Sequence, residues 1–127
     1  MVDASNASTA SGHDAERQAE AFLNQHGLRT LARNHRCRRG ELDLVMSEDG
    51  SECATVVFVE VRQRQHSHGA AIDSIDRRKQ RRLIHAAQDF LLRYPCCAEH
   101  ACRFDVITLT GADQLPRWIP AAFEADF

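Results

Sequence analysis

Residues 41–62 have the sequence ELDLVMSEDGSECATVVFVEVR, in which two strand-like segments flank a turn-like one. Polar and apolar side chains alternate over residues 41–46, which predicts a strand. Its two predicted faces carry Glu41, Asp43 and Val45 on one side and Leu42, Leu44 and Met46 on the other. Asp49-Gly50 is a hairpin signal, and residues 54–62 are apolar and rich in β-branched side chains. We therefore predict a hairpin whose second strand lies in the centre of a sheet.

The flanking segments predict helices on either side of this hairpin. Helical spacing of apolar residues predicts a first helix over about 13–26, with Gly27 as its C-cap, and then a short strand over 28–34. A second helix runs from about residue 75 to Pro95, and a strand follows at about 102–109. The order α-β-β-β-α-β indicates an α/β fold in which a mixed central sheet is flanked by helices. A helical crossover after an antiparallel meander favours parallel pairing of the last strand.

The length of 127 residues fits one domain, which we place at residues 12–127 behind a disordered leader at residues 1–11. No apolar run approaches the ~20 residues that a membrane span needs, so we expect a cytoplasmic protein without a membrane partner. The net charge of −2 excludes a global positive field that would attract nucleic acid. Any nucleic-acid partner must therefore be recognised by local clusters of charge.

Two acids stand inside the predicted strands. Asp43 lies between two leucines, and Glu60 lies in the apolar run VVFVEV. A buried carboxylate costs several kcal/mol unless it is paired or coordinated. Carboxylates from adjacent strands that converge would suit Mg²⁺ or Mn²⁺, because these hard cations prefer oxygen ligands. The alternative is a structural ion pair between these acids and Arg62 or Arg64 across the sheet.

Positive charge is concentrated in two segments, around residues 29–39 and at the start of the second helix. Cations at a helix N-terminus oppose the helix dipole, which suggests a purpose such as phosphate contact. The alternative is an ordinary solvated face, and Lys79 could instead reach toward the acids. The expected nucleic-acid interface comprises Arg36, Arg38, Arg39, Arg64, Arg77, Arg78, Lys79, Arg81 and Arg82.

Other side chains with chemical potential have simpler explanations. The five cysteines contain no CxxC pair, so idle thiols are favoured over a soft-metal site at Cys96, Cys97 and Cys102. Loop histidines such as His66 and His68 are usually solvated. Trp118 is expected to cover the core rather than to stack on a base.

The ordered blocks of residues 12–23, 33–45, 58–64, 74–87, 103–106 and 118–123 resemble the UPF0102 family over about residues 12–124. The resemblance implies a restriction-endonuclease-like fold of the PD-(D/E)XK superfamily, similar to junction-resolvase domains. It also implies that Glu16, Asp43 and Glu60 are metal ligands. Glu41 is a candidate accessory ligand, because it shares the predicted strand face of Asp43. Leu42 replaces the proline of the superfamily motif, and Arg62 replaces its lysine. Arginine stays protonated and cannot act as a general base, although it can bind phosphate.

Together these features favour a Mg²⁺- or Mn²⁺-dependent endonuclease acting on structured or branched DNA. Its catalytic residues would be Asp43, Glu60 and Arg62, its metal ligands Glu16, Asp43 and Glu60, and its partner DNA, with a homodimer left open. One alternative is a nucleic-acid-binding module of the same fold that does not cleave. A second is a protein-interaction domain in which the acids are purely structural.

Overall fold

The computed structural model describes residues 7–49, 54–64, 75–110 and 116–125. These residues form three helices and five strands, in the order α1 (Ala7–Gln25), β1 (Leu28–Cys37), β2 (Gly40–Asp49), β3 (Ala54–Arg64), α2 (Arg77–Arg93), α3 (Pro95–Ala98), β4 (Ala101–Thr110) and β5 (Arg117–Phe123). The strands form one sheet in sequential order. The predicted α/β fold with a mixed sheet flanked by helices is confirmed.

The first helix is longer than the sequence predicted. α1 begins at Ala7 rather than near residue 13, so it contains residues 7–11 of the predicted leader, and residues 1–6 lie outside the described part of the chain. Its end agrees with the prediction, because Gly27 has a φ of 95° and donates its backbone N–H to the carbonyl of Asn24. Glycine adopts this left-handed conformation without the steric cost that a Cβ brings.

The sheet has the predicted mixture of strand directions. β1, β2 and β3 pair antiparallel as a meander, and α2 then carries the chain over the sheet so that β4 pairs parallel to β3. The predicted hairpin turn at Asp49-Gly50 falls partly outside the described residues, because residues 50–53 are not described. His66 and His68 also lie outside them.

The C-terminal tail forms a fifth strand that the sequence did not predict. β5 pairs antiparallel with β4, with a register shift between Phe104 and Val106. The side chain of Asp105 fills this irregularity, accepting bonds from Trp118 Nε1 at 2.9 Å and from the backbone N–H of Ala121 at 3.0 Å. Trp118 thus covers the core, as predicted, and the single donor of its indole ring is bonded to Asp105.

Asp105 is itself held by an ion pair. Both Nε and Nη2 of Arg103 donate to its two oxygens, at 2.8 and 2.9 Å, and Arg103 also reaches Glu48 on β2 at 2.8 Å. Asp105 raises the pKa of Arg103, so the guanidinium remains charged. A buried carboxylate with four donors is fully satisfied, which explains how β4 tolerates it.

The helices cover opposite faces of the sheet. One buried cluster joins α2 to Leu42, Val45 and Phe58, and a second joins α1 to side chains that include Leu44, Met46, Val57 and Val59. The predicted alternation of β2 is therefore wrong at its start, because Leu42 and Leu44 pack on opposite faces. The strand therefore changes the face that its leucines present at Asp43, which lies between them. Among the described helices, none is long and apolar enough to cross a bilayer.

Candidate functional site

The acid pair lies where β2 and β3 separate. Hydrogen-bonded pairing of these strands extends as far as Leu44 opposite Val59 and stops before Asp43 and Glu60. In the gap, Asp43 Oδ2 accepts the backbone N–H of Val61 at 2.8 Å, so a side chain replaces the carbonyl that would continue the ladder. The carboxyl groups of Asp43 and Glu60 are also hydrogen-bonded to each other. The two acids thus meet, as their placement on adjacent strands predicts.

Burial makes this pair hard to ionise. Glu60 is 8% exposed, and burial together with the charge of Asp43 raises its pKa to about 7. Burial also raises the pKa of Asp43, although the N–H of Val61 opposes that shift. The two acids therefore titrate as a coupled pair whose proton affinity is higher than that of free carboxyl groups.

Glu16 approaches Asp43 from α1. Burial raises the pKa of Glu16, and the neighbouring charge and hydrogen bond of Asp43 raise it further. Asp43 is thus the middle of a chain of three carboxyl groups, bonded to Glu60 on one side and to Glu16 on the other. A cavity of about 180 Å³ opens on the α1 side of this chain and is lined in part by His13, Glu16 and Asp43.

Asn34 on β1 holds Glu16 in place. With its amide nitrogen turned toward the carboxylate, Asn34 donates to both oxygens of Glu16 at 3.2 Å. Its φ is 51°, and the regular pairing of β1 with β2 skips Asn34 and Asp43. The left-handed backbone allows side chains before and after it to face opposite helices: Arg33 pairs with Glu20 of α1, whereas His35 pairs with Asp89 of α2. Asn34 is a site residue that the sequence pattern did not single out.

Lys79 forms an ion pair with the acids. Its Nζ lies 3.3 Å from Glu60 Oε2, and its charge lowers the pKa of both Glu60 and Asp43 against the effect of burial. The sequence offered Arg62 or Arg64 as ion-pair partners for these acids. Arg62 lies two residues beyond Glu60 on β3, is half-buried, and faces Thr108 across the parallel pair. Arg64 is the last residue of β3.

The donor set fits a hard cation that keeps several of its waters. Two adjoining carboxyl groups offer oxygen ligands at one point, as a hard cation requires. Among the described residues, no three His, Cys, Asp or Glu side chains are arranged as a metal cage. Glu16 extends the acid chain without completing such a cage. This arrangement suits Mg²⁺ or Mn²⁺, which bind through one or two carboxylates plus substrate phosphates.

Glu41 and the thiols do not join this arrangement. Glu41 Oε2 binds Arg36 Nε at 2.9 Å, and 46% of the Glu41 side chain is exposed. The described cysteines, Cys37, Cys96, Cys97 and Cys102, are free thiols. A cavity of about 530 Å³ near Cys102 and Phe123 is larger than the one at Glu16, but none of the three acids lines it. Size alone therefore does not identify the chemistry.

The two basic segments come together at the β1–β2 turn. Arg36, Arg38 and Arg82 of α2 line a cavity of about 400 Å³, here called the basic basin, together with Glu41, which pairs with Arg36. Arg82 follows Lys79 by three residues, so both lie on one side of the helix and the basin is adjacent to the acids. The expected interface residues at the turn and on α2, apart from Lys79, are exposed to solvent: Arg36, Arg38, Arg39, Arg77, Arg78, Arg81 and Arg82.

Comparison with known proteins gives a consistent family. Residues 15–109 match the model of a family described as "Uncharacterised protein family UPF0102". A UPF0102 protein of Pseudomonas putida strain W619 is 54% identical over 120 residues, which cover 91% of this chain and 94% of the relative. One from Stutzerimonas stutzeri strain A1501 is 51% identical over 121 residues, which cover 93% and 98%. The relatives are thus matched over nearly their whole length.

Proposed function

Because the chain belongs to the uncharacterised protein family UPF0102, its activity must be argued from its own residues, and we propose a Mg²⁺- or Mn²⁺-dependent endonuclease acting on structured or branched DNA. The observation that supports this proposal is the buried, hydrogen-bonded pair of Asp43 and Glu60 with Lys79 against it. The choice of branched DNA rests on the similarity to junction-resolvase domains that the family resemblance implies. The expected cytoplasmic location belongs to the same proposal.

The reaction adds one water across a phosphodiester bond. The water oxygen bonds to phosphorus, the bond from phosphorus to the leaving sugar oxygen breaks, and that oxygen takes up the proton that the water loses. Asp43 and Glu60 would hold the cation, which supplies a bound water of lowered pKa and neutralises charge on the phosphate. Glu16, fixed by Asn34, would keep Asp43 oriented.

The basic basin would orient the substrate. Arg36, Arg38 and Arg82 surround a cavity wide enough for a phosphate group, and guanidinium groups bind phosphate oxygens in pairs. Such contacts position the backbone without reading its sequence. A preference for structured DNA would then come from the shape of the strand that can reach both the basin and the acids.

The test is a cleavage assay with a matched pair of acid variants. Full-length protein is incubated with labelled branched, nicked and duplex DNA in the presence of Mg²⁺, Mn²⁺ or EDTA. Asp43→Asn should lower the rate by about 100-fold or more, because it removes a charged ligand that supports several kcal/mol of transition-state stabilisation. Asp49→Asn removes an exposed acid at the other end of β2 and should cleave like the wild type.

Absence of metal-dependent cleavage by the wild type, or equal rates for wild type and Asp43→Asn, would exclude the endonuclease. A calorimetric titration with Mn²⁺ provides a second measurement. Saturable heat that disappears in Asp43→Asn is expected. No Mn²⁺ heat in the wild type would favour acids that are purely structural.

A nucleic-acid-binding module that does not cleave is the second candidate. Arg62 favours it, because the position that holds lysine in the superfamily motif has a guanidinium that cannot give up its proton. The exposed arginines of α2 would serve this function equally well. Binding that weakens steeply with salt, with intact DNA recovered in every metal, would select this candidate.

A further inference from the structure

Lysine is almost absent from this chain. One lysine occurs among sixteen Lys and Arg residues, and that lysine is Lys79. At the other fifteen positions the chain uses a guanidinium. The one compact ammonium group stands against the buried acid pair, with Nζ 3.3 Å from Glu60 Oε2. The single lysine of this arginine-rich chain therefore lies at the centre of the candidate site.

The first turn of α2 fixes the position of this lysine. Asp76 caps the helix, and its Oδ1 accepts the backbone N–H of Lys79 at 2.8 Å. The side chain of Lys79 is 34% exposed, whereas the arginines on either side, Arg78 and Arg81, are exposed to solvent. Lys79 is therefore directed inward and extends from the α2 side toward acids that Glu16 reaches from α1.

The chemistry of the two nearby cations differs. An ammonium group has three N–H donors on one small atom. If one donor is used by Glu60, two remain for an attacking water and a phosphate oxygen. A guanidinium is broader, and its planar fork suits paired contacts with an anion. A guanidinium at position 62 is therefore suited to binding phosphate, and the ammonium group of Lys79 is suited to contacting the reacting water.

We propose that Lys79, delivered by α2, acts as the catalytic cation that the motif would otherwise place at position 62. This inference rests on the proposed endonuclease function. Lys79 would donate to the attacking water and to the phosphate oxygen that gains negative charge, while Glu60 holds the ammonium in place. Arg62 would then contribute to DNA affinity more than to turnover.

The first test compares Lys79→Met with Arg62→Met in single-turnover cleavage of branched DNA with Mn²⁺. Lys79→Met should lower the cleavage rate by about 100-fold or more, which is the loss expected when a group that assists proton transfer is removed. Arg62→Met should mainly weaken DNA binding and cleave within about tenfold of wild type at saturating enzyme. Arg29→Met, which removes an exposed cation at the far end of β1, should match the wild type.

A second pair of measurements separates chemistry from structure. Lys79→Met should bind Mn²⁺ in calorimetry at least as tightly as the wild type, because a positive charge next to Glu60 has been removed. Lys79→Arg keeps the positive charge, so it controls for the possibility that Lys79→Met loses activity because it does not fold. It should melt near the wild-type temperature and bind Mn²⁺, yet recover less than about a tenth of the cleavage rate.

Each outcome bears on the proposal. Cleavage by Lys79→Met near the wild-type rate would overturn the role of Lys79 and leave the endonuclease intact. Loss of Mn²⁺ binding in both Lys79 variants would show that the residue only holds Glu60 in place, which also overturns it. A wild type that binds DNA but never cleaves would overturn both proposals together.

Discussion

The conformation of Asn34 links the backbone of β1 to the acid site. A non-glycine residue with φ of 51° is uncommon in a strand, and asparagine tolerates this region better than most residues. Here the conformation turns Arg33 toward α1 and His35 toward α2, and its amide donates to Glu16. One residue therefore sets both the path of the strand and the orientation of a carboxylate.

Two substitutions separate these contributions. Asn34→Gly keeps the left-handed backbone and loses the amide, whereas Asn34→Ala loses the amide and adds strain. Asn34→Ala should therefore unfold with a free energy about 1–2 kcal/mol lower than that of Asn34→Gly, measured by urea denaturation. Equal stabilities would show that the positive φ is not maintained in the folded protein. Because both variants lose the donor to Glu16, both should weaken Mn²⁺ binding to a similar degree.

The acids could be predicted from sequence at this scale, and Asn34 could not. A carboxylate within VVFVEV or between two leucines stands out, because burying it without a partner is costly. Asn34 looks like any polar residue of a half-exposed strand, and a positive φ leaves no mark in a single sequence. Lys79 was conspicuous as the one lysine, but only tertiary packing distinguishes it from the exposed arginines beside it.

At the scale of elements, the β1–β2 turn is fitted closely to α2. A Cβ on Gly40 would collide with the backbone carbonyl of Arg82, so only glycine lets the turn and the helix approach this closely. Gly27 after α1 is required for a different reason, because its φ is 95° but the space around it is open. The contact at Gly40 positions the basic basin relative to Lys79.

Replacing each glycine by alanine should separate these two roles. Gly27→Ala should lower the free energy of unfolding by about 1–2 kcal/mol through backbone strain, with DNA affinity unchanged. Gly40→Ala should cost about 1–3 kcal/mol or more through overpacking, and it should also weaken DNA binding because α2 must shift. Urea denaturation and fluorescence anisotropy measure the two effects. A Gly40→Ala variant with wild-type DNA affinity would show that this contact does not position the basin.

Most elements could be predicted from periodicity, and the exceptions have physical reasons. β5 contains Pro120 and a residue with positive φ, Ala121, so its sequence lacks the signal of a regular strand. It is held by pairing with β4 and by Asp105, neither of which is visible locally. The first turns of α1 lack an apolar stripe, which is why they resembled a leader.

For the whole molecule, the arrangement of charge matters more than its sum. A net charge of −2 would give little attraction to DNA if the charges were evenly spread. The fold instead places Arg36, Arg38 and Arg82 around one basin that contains, among the described residues, a single acid, Glu41, while acids such as Glu20, Glu48 and Asp89 are paired with arginines elsewhere. We therefore expect DNA to be bound at one place on a molecule that is slightly acidic overall.

This expectation can be measured as the salt dependence of binding. Each phosphate contact contributes about −0.9 to the slope of log K against log salt on duplex DNA, so Arg82→Gln should make the slope shallower by about 1. Arg93→Gln is the matched control, because Arg93 is an exposed cation of the same helix, paired with Asp89 at its other end. Its slope should equal that of the wild type. Anisotropy titrations in EDTA, over a series of salt concentrations, prevent cleavage from disturbing the equilibrium. Equal slopes for all three proteins would place the bound phosphates away from the basin, whereas a reduction by both variants would indicate a diffuse attraction that the fold does not focus.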